Sequence, residues 1–226
     1  NTLADEDGLG SFSYQWKRAD SAISGATSAT YALVQADVGS TITVTVSYTD
    51  AQGTAQSATS AATSAVANVN DDPTGSVVIA NAASAAEDVT LTITNTLADE
   101  DGLGSFSYQW ARAGSAISGA TSATYALVQA DVGSTITVTV SYTDAQGTAE
   151  SETSAATGAV ANVNDDPTGS VVIANAASAA EDVTLSITNT LADEDGLGSF
   201  SYQWARAGTA LSLIHIFRAH ETDRYL

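Results

Sequence analysis

The residues of this chain that could do chemistry are its carboxylates. The stretch ADEDGLGSFSYQW places Asp5, Glu6 and Asp7 beside two glycines and ahead of an aromatic run. It returns at 98–110 with Asp99, Glu100 and Asp101, and at 192–204 with Asp193, Glu194 and Asp195. Three acids in one turn repel each other unless donors or a cation neutralise them, and a hard divalent cation such as calcium wants roughly six to eight oxygens. The other reading is plain turn chemistry, in which Asp and Gly suit loops and the charges stay solvated. An EF-hand is ruled out, because DEDG at 99–102 lacks the alternating third acid and the closing Glu. No GGxGxD-type repeat is present either.

Other chemistries find few residues. The chain has no cysteine, which excludes disulfides, thiol nucleophiles and Cys-ligated zinc. The repeated part contains no histidine and a single lysine, Lys17, so general-base and nucleophile constellations are missing and no enzyme is expected. Acid pairs such as Asp99 and Asp101 could serve a glycosidase, but near-identical copies in series do not describe one sugar cleft. With a formal charge of −20, nucleic acid and anionic membranes are poor partners.

The elements that position these acids are repeated. Residue n matches residue n+94, and between 1–94 and 95–188 there are six differences: Lys17/Ala111, Asp20/Gly114, Gln56/Glu150, Ala58/Glu152, Ser64/Gly158 and Thr92/Ser186. The chain is therefore an array. The expected division is a partial repeat at 1–72 lacking its first strands, a complete one at 73–166, and a partial one at 167–210 with only its first strands. The absence of an initial Met and the start in mid-repeat suggest an internal fragment, with no apolar run long enough to span a membrane. The last segment, LSLIHIFRAHETDRYL at 211–226, carries both histidines, His215 and His220, and breaks the pattern. It resembles a conceptual translation of a sequencing adapter and is set aside as non-native.

Within 73–166, strands are expected at 76–79, 89–96, 105–112 and 134–143, with a turn and another strand supplied by 117–128, and the turn DAQG is followed by a long Ala/Thr/Ser strand to Val163. Val89, Leu91 and Ile93 alternate with threonines, and so do Ile136, Val138, Val140 and Tyr142 with Thr or Ser. That period of two puts one apolar face on each strand. Short strands with Gly and Asp turns and no helical pattern give an all-β fold of tandem antiparallel sandwiches, with Trp110 between the sheets.

YQW at 108–110, the Asp131-Val132-Gly133 corner and the linker ANVNDDPTG at 161–169 resemble the tandem immunoglobulin-like or cadherin-like repeats of large, type I-secreted bacterial surface adhesins of the RTX kind. The resemblance covers residues 1–210. It implies acids sorted by the ends of the sandwich. Asp71, Asp72, Asp99, Asp101 and Asp144 fall at the top of the middle repeat. Glu87, Asp131, Asp165 and Asp166 fall at the bottom, where the next repeat brings Asp193 and Asp195. By likeness to the calcium sites between cadherin domains, Glu87 stands for the shared Glu, Asn164 with Asp165 for the linker pair, and Asp193 with Asp195 for the DxD. The linker departs from that family at Asn162 and Asp166.

The resemblance implies a stalk or spacer on the outside of a bacterium, stiffened by Ca2+ at its junctions and serving adhesion or biofilm formation. Its partners would be neighbouring repeats, and surface glycans or proteins reached through other domains. Two other readings stand beside it. One is a glycan- or protein-binding module repeated for avidity, with Tyr31 and Tyr125 as candidate contacts. The other is a passive spacer of a secreted enzyme.

Overall fold

A computed structural model describes residues 3–211; the segment from 212 onward, including the histidines, lies outside the described residues. The chain divides into two compact units, 1–162 and 163–226, and each is treated by itself. The first unit takes in the expected repeat at 1–72 and most of the one at 73–166, and the linker near Asn70 between them is hydrogen-bonded on both sides.

All sheets are antiparallel. Repeat one forms β1 (Ser13–Arg18), β2 (Ser21–Ala22), β3 (Ile42–Thr49) and β4 (Ala55–Thr59), in the order β2-β1-β3-β4. Repeat two begins with β5 (Val77–Ile79) and β6 (Thr90–Asn95), then β7 (Ser107–Arg112), β8 (Ser115–Ala116) and β9 (Thr124–Ala126), and ends with β10 (Ile136–Thr143) and β11 (Ala149–Thr153). A four-stranded sheet, β11-β10-β7-β8, faces a three-stranded one, β5-β6-β9. The second unit holds β12 (Val171–Ile173) paired with β13 (Ile187–Asn189), and β14 (Ala205–Arg206) paired with β15 (Thr209–Ala210).

The sandwich of repeat two follows from its alternation. Val138 and Val140 of β10 stand opposite Trp110 and Tyr108 of β7. Their β-branched side chains, and those of the threonines between them, suit a pleated surface with one dry face. From the other sheet Val77, Ile79 and Leu91 close over them. Trp110 is fully buried, stacks on Tyr125 at 5.7 Å and donates its indole N–H to the Ser122 carbonyl at 2.9 Å. The Phe106 ring meets Tyr142 edge to face at 5.7 Å. Tyr125, one of the two tyrosines considered for ligand contact, is thus spent on packing, and Tyr31 stacks on Trp16 in the same way.

One local feature differs from the sequence expectation. The last strand ends at Thr153 instead of running to Val163. Ser154 N–H still donates to the Val138 carbonyl, but Thr157, not Ala156, donates to Ile136, so one extra residue breaks the register. The hydroxyls of Ser154 and Thr157 accept from the amides of Val138 and Ile136 and complete the ladder there. The turn and strand expected within 117–128 are present, the strand as β9, with the short hairpin partner β8 ahead of them. The β7–β8 turn uses Ala113 at φ 45° and Gly114 at φ 80°, the left-handed pair a tight hairpin requires. Repeat one holds Ala19 and Asp20 in the same conformation, which accommodates the Asp20/Gly114 difference.

Candidate functional site

The joint between repeats one and two is built around Asp101. The loop that carries it turns at Gly102, φ 91°, where a side chain is strained, and passes Thr143 so closely at Gly104 that a Cβ would collide with the Thr143 carbonyl. Within this loop Asp101 N–H donates to Asp99 Oδ1 at 2.8 Å. The Asp101 side chain is 3% exposed. Its Oδ1 accepts from Gln35 Nε2 of repeat one at 2.6 Å, and its Oδ2 from the linker amide of Asp71 at 2.8 Å. Gln35 also reaches Asn68 Oδ1 at 3.3 Å, and Asn70 Nδ2 donates to Glu150 Oε1 at 2.9 Å. Repeat one, linker and repeat two are therefore tied together by direct hydrogen bonds through one buried carboxylate.

The other acids expected at this end are close by. Asp99 Oδ2 accepts from the Tyr142 hydroxyl at 2.6 Å. Asp144 sits in the following turn, 5% exposed, with Oδ1 accepting from the amides of Gln146 and Thr148 at 2.8 Å each. Its Oδ2 is buried without a hydrogen-bond donor. Burial pushes the Asp144 carboxyl up, but the amides of Thr148, Gln146 and Gly147 outweigh it and hold the group below the usual carboxylate range. Burial and the neighbouring charges of Asp99, Glu150 and Asp144 push the Tyr142 phenol far up. Asp72 is exposed.

Asp131 points inward, fully buried, and accepts from Arg112 Nε at 2.6 Å, Tyr125 Oη at 2.9 Å and Val128 N–H at 2.9 Å. Both its oxygens are thereby engaged inside its own domain. Asp37 of repeat one repeats this arrangement with Arg18, Tyr31 and Val34. Glu87 is 3% exposed on the connection between β5 and β6, where its N–H donates to Ala161. In the second unit the Asp165 amide donates to Asp195 Oδ2 at 2.9 Å and the Asp195 amide to Asp193 Oδ1 at 3.0 Å, the same latch that joins Asp71, Asp101 and Asp99. Asn164 Nδ2 bonds the Asp165 carbonyl, and Asp166 is exposed.

Tested as a home for a hard cation, the donor set has the right chemistry: only oxygens, mostly carboxylate. Among the acids of the first joint, Asp101 already holds two donors and Asp99 one on each oxygen, whereas Asp144 keeps one oxygen without a donor. That Asp144 oxygen is buried, and no three of Asp71, Asp72, Asp99, Asp101 and Asp144 bring carboxylate oxygens to within 4.8 Å of one another. Sequence reasoning missed Gln35 and Glu150. A lone glutamine carries no motif, and Glu150 stands out only as one of the six differences between repeats.

Fold and site together define a tandem array of antiparallel β-sandwich repeats with a hydrogen-bonded linker joint. No family model and no curated protein matches the chain. Among solved structures it is similar to the fibronectin(III)-like modules of CbhA from Clostridium thermocellum, at 19% identity over 71% of this chain and 83% of that one, with a TM-score of 0.26.

Proposed function

We propose that the chain is a stretch of structural stalk, a spacer made of stacked sandwich repeats that holds other domains at a distance on the outside of a bacterium, in the service of adhesion or biofilm formation. One observation carries this reading: each linker amide is captured by the acidic loop of the repeat that follows, Asp71 by Asp101 and Asp165 by Asp195. A linker that is bonded into the next module transmits orientation, which is what a rod needs and a flexible tether does not. The reading gives the chain no catalytic role. The packing of Tyr31 and Tyr125 against tryptophans argues against a recognition module built on those rings.

Calcium is the second element of the proposal. Asp71, Asp72, Asp99 and Asp144 would draw together around the ion at the first joint, where it would neutralise charges that otherwise push the modules apart. Extracellular calcium modules bind at about 10⁻⁴–10⁻³ M, so the joint would stiffen at millimolar calcium. The test is thermal unfolding of the chain in calcium and in chelator. A higher midpoint in calcium that falls back with Asp144→Ala is expected. Superimposable curves would remove calcium from the proposal and leave the hydrogen-bonded spacer.

A further inference from the structure

A spacer is loaded along its length, and in repeat two the path of that load can be followed through the backbone. Tension reaches the repeat through the linker ahead of Pro73 and leaves it through the linker after Ala161. The segments near those points lie side by side. Ala161 N–H donates to the Ala85 carbonyl at 3.0 Å, and the Ala161 carbonyl accepts from Glu87 N–H at 2.9 Å. One residue thus bonds both neighbours of Ala86, which makes Ala86 and Ala161 a parallel bridge. Every pairing between the named strands of this repeat is antiparallel.

The direction of the bridge decides how it fails. Two parallel segments, one pulled from its upstream end and the other from its downstream end, are dragged past each other along their length. Both bonds then stretch together. Antiparallel segments pulled in the same way would open from one end, one bond after the other. The parallel arrangement is the one that resists tension along the chain.

Both segments are also anchored on their far sides. Val160 N–H donates to the Ser134 carbonyl and the Val160 carbonyl accepts from Gly133 N–H, at 2.9 Å each, which ties the exit segment to the corner before β10. Asp88 N–H donates to the Leu127 carbonyl at 3.1 Å and Leu127 N–H to the Val89 carbonyl at 3.0 Å, which ties the entry segment to the residue that follows β9. Ala85 and Val160 are buried in the core, Val160 with 2% of its surface exposed. Water is kept from competing for the bonds beside them, and sliding the segments would drag Val160 out of its packing.

We infer that residues 85–87 and 160–161 form a force clamp: repeat two bears tension along the chain in shear across this parallel pair, and unfolds when the pair gives way. Resistance of this kind is set by the barrier to one event and not by equilibrium stability. The direction of the load rests on the spacer reading of the chain. The clamp itself belongs to the sandwich and needs no metal.

The experiment is single-molecule pulling of the full chain in chelator, through cysteine handles that are unique because the chain has no cysteine of its own. Val69→Cys with Asn162→Cys, both at exposed positions, loads the clamp along the chain. Ala83→Cys with Gly158→Cys pulls at the upstream ends of both segments and peels them apart. Ala83 is exposed, and a Cβ at Gly158 meets nothing within 4 Å. The first pair is expected to need at least about twice the force of the second, because the bonds break together instead of in turn. Ala161→Pro deletes the Ala161 N–H and is expected to bring the first force down to the second, whereas a general loss of stability lowers both alike. The comparison of directions keeps the clamp residues native, so it decides the matter even where the proline variant does not fold. Equal forces in the two directions, or a ratio that survives Ala161→Pro, would overturn the clamp and leave the spacer reading, which rests on the linker joint, in place.

Discussion

Arg112 Nε and Asp131 Oδ1 meet at 2.6 Å, nineteen residues apart, and the carboxylate end of that pair is shut off from solvent. The guanidinium lies on β7 and is about a third exposed, so the pair joins the four-stranded sheet to the corner before β10. Tyr125 Oη and the Val128 amide complete the shell of Asp131, and hydrogen bonding to this carboxylate raises the Arg112 guanidinium above its ordinary value. Removing the cation leaves a buried charge with only two donors. Arg112→Leu is expected to destabilise repeat two by about 2–3 kcal/mol, read by chemical denaturation.

The two tryptophans of the first unit sit at equivalent positions with different burial. Trp110→Ala is expected to cost about 3–5 kcal/mol, because a large cavity opens in a closed core. Trp16→Ala, in the half-open groove of repeat one, is expected to cost roughly half as much, in proportion to the area it hides. Equal costs would mean that repeat one is closed in solution.

Stability should fall at both extremes of pH for separate reasons. The folded Asp144 carboxyl is held below its unfolded value near about 3.9, so its contribution is present above that value and lost as acid is added. The folded Tyr142 phenol is held above its unfolded value of about 10. Its contribution is complete below about pH 10 and disappears as pH climbs past it. Tyr142→Phe should flatten the alkaline limb and leave the acid limb alone, as followed by melting temperature against pH.

At the joint, Gln35→Ala removes the side-chain bond from repeat one to Asp101 while Asp71 keeps its own. Amide exchange at Asp71 is expected to speed up several-fold, with no change at β10. Gln35→Glu should be worse, since it sets a second carboxylate against a buried one.

Much of the fold can be read from strand alternation. Trp110, Val138 and Val140 occupy the core faces that their period of two assigns them, because one dry side is all a half-buried strand requires. What escaped were features decided by distant partners. Identical residues form a strand at 124–126 and none at 30–32, since only the former has β6 beside it. Asp131 reads as one more junction acid until the fold brings Arg112 to it, and Gln35 shows its role only when Asp101 is placed within reach. The Ala/Thr/Ser run after β11 has no apolar period, so its bulge at Thr157 left no trace in the pattern.

The central claim is a joint that holds successive repeats in one orientation, tightened by calcium. The most direct measurement is the spin-label distance between repeats one and two, with Ser21→Cys and Ser115→Cys introduced on exposed hairpins and the labelled chain diluted in unlabelled protein. A single narrow distance distribution in calcium, broader in chelator and broadest with Gln35→Ala, is the expected result. A broad distribution that neither the cation nor Gln35 alters would contradict it.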